Sequence, residues 1–516
     1  MAYRVHHYNK KNGVTYVYEA VSVWDKEKKA PRNKQVCIGK LDPTTGELIP
    51  SRKFSTQAPE SPAVTATALV AGPSLLLDSI TEELRMDRLL KTCFPNDSQQ
   101  IRTVVYYLVQ KGGALSHCEN WCKSHLHPGR HTLTSQSISK LLASQTEDAR
   151  QTFFKQWGNV MAEKEALCYD ITSVSSYSEQ NEYVKYGYNR DKEKLPQINM
   201  AMLFGQESRL PVYYKRLPGN ITDVSTLSNF LKTMGFLNKK KLHLVLDKGF
   251  YSQENIDALF AEHHHFTMGV SVHLKWVEAI VEESLPHMLD MANYRKIGTD
   301  VLYVQTQLYK WGNPGKRSYV HVYYNDRAAA EDREHFHEKL LAYQAELESD
   351  TPVKAHQAQY ERYFIVKHTP VRGRQVRFRT EAVEAYRNRY AGCFVLFTNT
   401  IKDPVTALDI YRNKDVVENC FDDLKNQLDM KRLRVHRSDT MDGRLFLQFL
   451  ALIYISAIRQ KINNAPTLSH FTVRELMGEL ETLSKITYSG RYGSLLTEST
   501  KMQKEIARVF QLKLDT

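Results

Sequence analysis

Between residues 166 and 272 short apolar runs alternate with amphipathic stretches. "ALCYDIT", "QINMAMLFG" and "LPVYYKRLPGN" come first; the helical pattern "DVSTLSNFLKTMGF", the run "LHLVLDKGF", the helical "SQENIDALFAEH" and "FTMGVSV" follow. Near-continuous apolar runs of this length predict buried strands, and apolar residues three and four apart predict the helices between them. Three strands, a helix, a strand, a helix and a strand make an α/β order that admits a mixed sheet with helical crossovers. Two of the runs finish on a carboxylate, Asp170 in the first and Asp247 in "HLVLDKGFYS".

A charge at the end of a buried strand is costly unless it is paired or bound to a metal. Two such ends have a common explanation if the strands lie side by side, because both carboxylates then reach one divalent cation at the sheet edge. Hard cations such as Mg2+ take oxygen ligands and keep positions open for water and phosphate oxygens. A third acid is then expected.

The stretch "DPVTALDIYRNKDVVENCFDDLKNQLDMKRL" reads as one long helix starting at Pro404. At about 100° per residue, Tyr411, Lys414, Glu418 and Lys425 share a stripe beside the apolar stripe Ile410, Val417, Phe421, Leu424 and Leu428. Glu418 therefore borders the buried face, while Asp415, Asp422 and Asp423 are expected to face solvent. On this helix alone, Glu418 could equally belong to an exposed ion-pair network with Lys414 and Lys425. The two strand-end aspartates favour the metal-site reading.

The rest of the chain divides around this core. Residues 1–55 read as a small β-module of short strands, with "KLDPTTGEL" as turn punctuation. Residues 62–165 read as a helical domain, in which Thr134 and Ser135 would cap "QSISKLL". A helix-turn-helix presenting Ser135, Gln136, Ser139 and Lys140 to DNA and a plain packing module are both open. The α/β core runs over 166–272, breaks for an inserted domain at 273–390, and resumes at 391–433 with "CFVLFTN"; 434–516 is expected to be helical. The apolar run "LFLQFLALIYISAI" falls short of the about 20 residues a spanning helix needs, so a buried helix is expected.

The 516 residues hold 70 Lys plus Arg against 58 Asp plus Glu, a formal charge of +12 with pI ≈ 9.1. That balance favours a polyanionic partner. Seven scattered cysteines suit a reduced interior, and the charged, aromatic N-terminus lacks the apolar core of an export signal, so a cytoplasmic setting is expected. Glycine-rich phosphate loops of dehydrogenases and kinases are not found in the sequence.

At these residues the sequence resembles the DDE transposases of bacterial insertion sequences, within the insertion sequence family four superfamily marked by a Y-(2)-R-(3)-E-(6)-K signature. Tyr411, Lys414, Glu418 and Lys425 keep its spacing, with Lys414 where the family usually has Arg. "YDITSVSSYSEQNEYVKYGYNRDKEKLPQINMAMLFG", "LPGNITDVSTL" with "LVLDKGFYSQENIDAL", and "VENCFDDLKNQLDMKRLRVHRSDTMDGRLFLQFLALI" resemble the family's three acidic blocks in order.

The resemblance implies an RNase H-like mixed-sheet catalytic domain, interrupted by the insertion domain. It implies metal-dependent cut-and-paste excision and strand transfer at terminal inverted repeats, with two Mg2+ ions, Mn2+ able to substitute, held by Asp170, Asp247 and Glu418. Double-stranded DNA, both transposon ends and target, is the implied partner, and paired ends imply a homodimer acting on the bacterial nucleoid. Tyr411 and Lys425 would contact DNA beside the cut; Lys414 keeps the charge but not a bidentate guanidinium contact. A domesticated DNA-binding protein would show a broken acidic set, and a structure-specific nuclease would not need the large flanking modules.

Four further signals are weaker. Cys118, Cys122, His125 and His127 match no standard zinc spacing well and are expected to pack. The "HHH" at 263–265 reads as a structural or solvated turn. Arg372, Arg374, Arg377 and Arg379 in "TPVRGRQVRFR" suit a ribbon tracking phosphates or a solvated basic hairpin. Trp276 is expected to anchor the start of the insertion, with stacking on a displaced base as the alternative.

Overall fold

A computed structural model describes residues 2–25, 29–51, 65–129, 131–161, 165–178, 181–233, 241–298, 300–349, 351–369, 373–435 and 437–514. The chain forms two units, Met1–Thr67 with Thr487–Ser494, and Ala68–Ile486 with Leu495–Thr516. In the first, β1 (Ala2–Asn9), β2 (Val14–Asp25), β3 (Ala30–Leu41) and β4 (Leu48–Pro50) pair antiparallel in sequential order. β2 and β3 run to 12 residues each, longer than the short strands expected; β2 is rich in β-branched and aromatic residues, and β3 pairs along its length.

After β5 (Ala66–Val70), the helices α1 (Gly72–Glu83), α2 (Met86–Cys93), α3 (Ser98–Lys111), α4 (Cys118–Ser124), α5 (Ser135–Ser144) and α6 (Glu147–Met161) follow. The Thr134 hydroxyl caps α5 by accepting from Ser137 N at 3.2 Å. A polar cluster reaching from the buried Tyr106 to the surface ties these helices together: Tyr106 donates to Asp78 at 2.6 Å, and Arg102 reaches Asp78 and Asp87 at 2.9 and 2.8 Å. Trp157 of α6 donates its indole N–H to Pro211 O at 2.8 Å. That bond fixes α6 to the edge of the sheet.

The sheet is built from β6 (Ala166–Ser176), β7 (Gln197–Gly205), β8 (Pro211–Pro218), β9 (His243–Leu246) and β10 (His265–Val270), with α7 (Asp223–Thr233) and α8 (Gln253–Ala261) as crossovers. The chain continues through α9 (Lys275–Ser284), β11 (Tyr294–Ile297), β12 (Asp300–Trp311), β13 (Lys316–Tyr324), α10 (Asp326–Glu348) and α11 (Gln357–Tyr363). Next come β14 (Phe364–Thr369), β15 (Gly373–Phe378), α12 (Thr380–Arg389) and β16 (Cys393–Thr398). The strand order is β11-β12-β13-β16-β10-β9-β6-β7-β8. β6, β9 and β10 are mutually parallel neighbours and the remaining pairs along this order are antiparallel, so the sheet is mixed.

The first part of 273–390 departs from a self-contained insertion. β11, β12 and β13 join the main sheet through β16, because antiparallel hairpins extend an open edge without a crossover. Only the following segment packs separately, around Leu340, Leu347, Tyr360, Tyr363 and Phe364, with β14 and β15 as a two-stranded ribbon. Trp276 sits at the junction, donating to Tyr251 OH at 2.8 Å and packed on Tyr309, Trp311 and Phe397.

Beyond β16 the expected single helix is broken. α13 (Pro404–Arg412) ends in a turn at Asn413 and Lys414, α14 (Asp415–Asp422) follows, and Asp423–Gln427 is a π-helical turn. β17 (Arg432–Leu433) pairs parallel with the far end of β6. α15 (Ser438–Asn464) is then the central helix, packed on α3, α5, α1, α16 (Val473–Leu480) and β8. It is long and apolar enough to span a membrane, but 94% of its most apolar window is buried by protein. The region from 434 is not wholly helical, since β18 (Ser484–Tyr488) and β19 (Ser494–Leu496) precede α17 (Lys501–Phe510).

Candidate active site

β6 and β9 pair in parallel from Ala166↔His243 to Tyr169↔Leu246, so Asp170 and Asp247 are the next residue on each strand. The expected neighbourhood of the two aspartates is present, but Asp170 is not at a strand end. β6 continues to Ser176 because its other edge stays paired with β7, whereas β9 stops at Leu246. Asp170 therefore faces the gap left where β9 turns away. Its carboxylate accepts from Ile171 N at 2.8 Å, and burial pushes its pKa up to about 6, against the opposing pull of that bond and of Arg190 and Lys414.

Asp247 opens a single 3-10 turn, accepting from Lys248 N at 2.8 Å. The Tyr411 hydroxyl donates to the same carboxylate oxygen at 2.8 Å, and Lys414 Nζ lies 3.8 Å from the other. Burial and the charge of Asp247 hold the Tyr411 phenol well above its usual pKa, so it remains a donor. Gly269 of β10 makes room for this contact: a Cβ there would sit 2.5 Å from Tyr411 Oη. Gly269 carries no signal along the sequence, since only the packing of α13 on β10 gives it a role.

Glu418 is two-thirds exposed, with Lys414 Nζ 3.9 Å from its carboxylate. Asp170, Asp247, Lys414 and Glu418 line one pocket of ≈ 10 Å³ with Cys168 and Val417, about the space of one water-sized sphere. The three acids share the pocket without yet converging on a point. Among the described residues, no three His, Cys, Asp or Glu side chains are placed as a metal-ligand group. The donor set nevertheless fits a hard cation, since all its ligating atoms are carboxylate oxygens and a Lys414 ammonium already lies between two of them.

The break after α13 explains the other departures from the helical stripe. Lys425 turns to Asp191 at 2.8 Å instead of lying beside Glu418, because the π-helical turn shifts the phase of everything after Asp422. Asp423, expected in solvent, is 1% exposed and paired with Arg459. Burial raises its pKa to about 6 despite that partner.

A second element without a sequence signal of its own is the scaffold of the segment 181–196. Gln197 donates to Tyr188 O and Gly219 O at 2.9 and 3.1 Å, and Asn189 donates to Ser175 Oγ at 3.1 Å. These bonds set Arg190 where it pairs with Asp223 at 2.5 Å and lends positive potential to Asp170. The "YGYNRD" and "LPQ" landmarks mark the segment by resemblance without revealing its physical role.

Other candidates lie apart from the pocket. Arg374 and Arg377 are on β15, opposite His368 and Ile365 of the ribbon, and Arg379 follows it; Arg372 lies outside the described residues. Cys118 and Cys122 are buried with sulfurs 4.0 Å apart, and Trp121 stacks on His125. His264 is buried and accepts from Leu242 N at 3.3 Å, so the histidine triplet includes a structural member. Ser135, Gln136, Ser139 and Lys140 of α5 are exposed.

Acids brought together by adjacent parallel strands, with a third on a helix across a pocket, define a class of site suited to charge at oxygen. The profile of the family described as Transposase DDE domain matches residues 161–454, more than half of the chain and a range within which all three acids fall. The chain belongs to the DDE transposase domain family. A cryo-EM structure of the piggyBac transposase synaptic complex with hairpin DNA is similar at 8% identity and a TM-score of 0.35, over 79% of this chain and 70% of that one. No curated protein matches the sequence.

Proposed function

We propose that the protein is a DNA transposase of the bacterial insertion-sequence group with the Y-(2)-R-(3)-E-(6)-K signature, cutting and joining DNA at its element's terminal inverted repeats. The observation that carries this reading is the register of β6 and β9, which makes Asp170 and Asp247 neighbours on the pocket that Glu418 also lines. The three-strand meander β8-β7-β6 continued by parallel β9 and β10 supports an RNase H-like core.

Asp170, Asp247 and Glu418 would hold two Mg2+ ions, or Mn2+ in their place. When bound, such ions stabilise charge at phosphorus and at the attacking and leaving oxygens. Tyr411 orients Asp247 by its hydrogen bond, and burial of Asp170 disfavours its charged form, which a bound cation would offset. Lys414 offers a cation beside the pocket that DNA phosphate can take over from Asp247 and Glu418. Lys425, the ribbon's Arg374 and Arg377, and Arg372 from the sequence, are read as further backbone contacts. A homodimer pairing two ends in the bacterial cytoplasm completes the proposal.

The purified protein is incubated with labelled duplex carrying the element's ends and Mg2+ or Mn2+. Cleavage and joining are expected in wild type, with loss in Asp170→Asn, Asp247→Asn and Glu418→Gln. Undiminished strand transfer by the Asp247 or Glu418 variant would sink the assignment, and end binding without any cleavage would favour a domesticated binder.

A further inference from the structure

Tyr186 and Tyr188, 74% and 82% exposed, are the two most exposed aromatic side chains among the described residues. Within the same residues neither ring meets another ring or a cation, and neither hydroxyl makes a hydrogen bond. Tyr177, by contrast, has the Arg432 guanidinium over one face at 5.6 Å. A single exposed ring needs no explanation. These two stand on a backbone that is fastened on both sides.

Lys185 and Gln197 exchange both backbone hydrogen bonds at 2.9 Å, and the Gln197 side chain donates to Tyr188 O at 2.9 Å. Tyr183 O accepts from Gly219 N at 3.1 Å. A Cβ on Gly187 would overlap Gly219 O, so glycine lets the stretch between the tyrosines lie on the turn after β8. Asn189, itself buried, holds Ser175 of β6. The rings are therefore presented from a fixed backbone, and a partner that stacks on them orders little further chain.

The charge around the rings selects the partner. Asp191 is answered by Lys425 at 2.8 Å, Glu193 by Arg432 at 3.1 Å and Arg190 by Asp223 at 2.5 Å. Lys185, Lys192 and Lys194 are exposed and make no ion pair among the described residues; Glu182 is the one carboxylate of 181–194 in the same state. Free ammonium groups interleaved with open rings match a chain in which phosphates alternate with flat bases. Stacking needs a base with an open face, which the interior of a duplex does not offer, so the fit is to an unpaired strand. Ser175, where the segment is fastened, lies five residues past Asp170 on β6, about 17 Å along the strand.

We propose that Tyr186 and Tyr188 form a stacking surface for unpaired bases of a DNA strand, with Lys185, Lys192 and Lys194 tracking its phosphates. That the strand is DNA rests on the proposed function; the mounting of the rings and the free lysines do not.

The test measures binding of the full chain, without divalent metal, to a fluorescent blunt duplex and to the same duplex carrying an unpaired tail of about ten nucleotides. Wild type is compared with the double variants Tyr186→Ala/Tyr188→Ala and Tyr186→Phe/Tyr188→Phe and with Lys194→Gln, all at exposed positions, and circular dichroism checks the fold. The alanine pair is expected to weaken binding of the tailed duplex about tenfold or more while leaving the blunt duplex within about twofold. The phenylalanine pair should bind as wild type, because the ring face and not the hydroxyl makes the contact. Lys194→Gln should lower the slope of log K against log salt on the tailed duplex by about 0.7, the value for one single-strand phosphate contact. Equal affinity of the alanine pair and wild type for the tailed duplex would overturn the surface, as would a loss that phenylalanine does not restore. Self-association lost in the alanine pair with tail affinity unchanged would assign the rings to a second copy instead. Cleavage of element ends by wild type with no tyrosine effect on the tail would remove this surface and leave the transposase reading standing. Tyrosine-dependent tail binding by a chain that cleaves no end would support the surface and count against that reading.

Discussion

The acids of the candidate site are positioned in two different ways. Asp170 and Asp247 follow directly on a parallel ladder, so their separation is set by strand spacing and register. Glu418 stands on an eight-residue helix between a turn and a π-helical segment, two-thirds exposed and held at arm's length by Lys414. A sheet fixes its passengers through many shared hydrogen bonds; an isolated helical turn does so through a few contacts on one side. The pair is prebuilt, whereas the third acid stands apart with Lys414 between it and Asp247.

The largest effect should come from the acids themselves. Asp247→Asn, Asp170→Asn and Glu418→Gln are each expected to reduce DNA cleavage at least 1,000-fold, about 4 kcal/mol in the barrier, while circular dichroism shows an intact fold. Equal losses from the fixed pair and from exposed Glu418 would put all three in the same chemistry. A Glu418→Gln enzyme with full activity would break the comparison and turn attention to another acid.

Asp423 contrasts with Glu418 five residues away. Asp423→Ala should destabilise the chain by about 3 kcal/mol by stranding Arg459, read as a shift in urea midpoint, whereas Glu418→Ala should shift it little. A smaller third effect concerns pH. Because the folded pKa of Asp170 is raised to about 6 from an ordinary 3.8, the folded state holds its proton more tightly, and this group's contribution falls as pH rises between those values. Asp170→Asn should flatten that decline and raise stability at pH 7 by on the order of 2 kcal/mol in metal-free buffer. Stability that rises through this window because of Asp170 would contradict its burial.

The smallest effect is expected at the support of Asp247. Tyr411→Phe should slow cleavage about tenfold, about 1.4 kcal/mol and within the range for one hydrogen bond. Gly269→Ala, which crowds the Tyr411 hydroxyl, should cost a similar factor, and the double variant little more than either alone. Additive losses would show that the two residues act separately.

Much of the α/β core was legible because buried strands and amphipathic helices write different periods into a sequence. The runs at 166–169, 197–205 and 243–246 are mostly apolar, and Thr134 marks a helix start by its hydroxyl. The segment from Pro404 to Leu433 reads as one helix because no glycine or internal proline interrupts it and its apolar stripe runs on. Nothing local announces that Asn413 and Lys414 turn, or that Asp423 swings inward to Arg459. The strands at 294–324 were recognised by alternation, but which sheet they join is a matter of an available edge.

By itself, the sequence determined that buried strands carry Asp170 and Asp247, that a helical segment with Glu418 follows, and that the surface is basic. These are local properties, set by burial pattern and residue chemistry. Only the tertiary structure decided that β6 and β9 are neighbours in a register that joins the two aspartates, that Gly269 admits Tyr411 to Asp247, and that Gly187 lets the segment bearing Tyr186 and Tyr188 lie on Gly219. Each of these depends on a contact between residues distant in the chain, and periodicity along one segment carries no information about its partner.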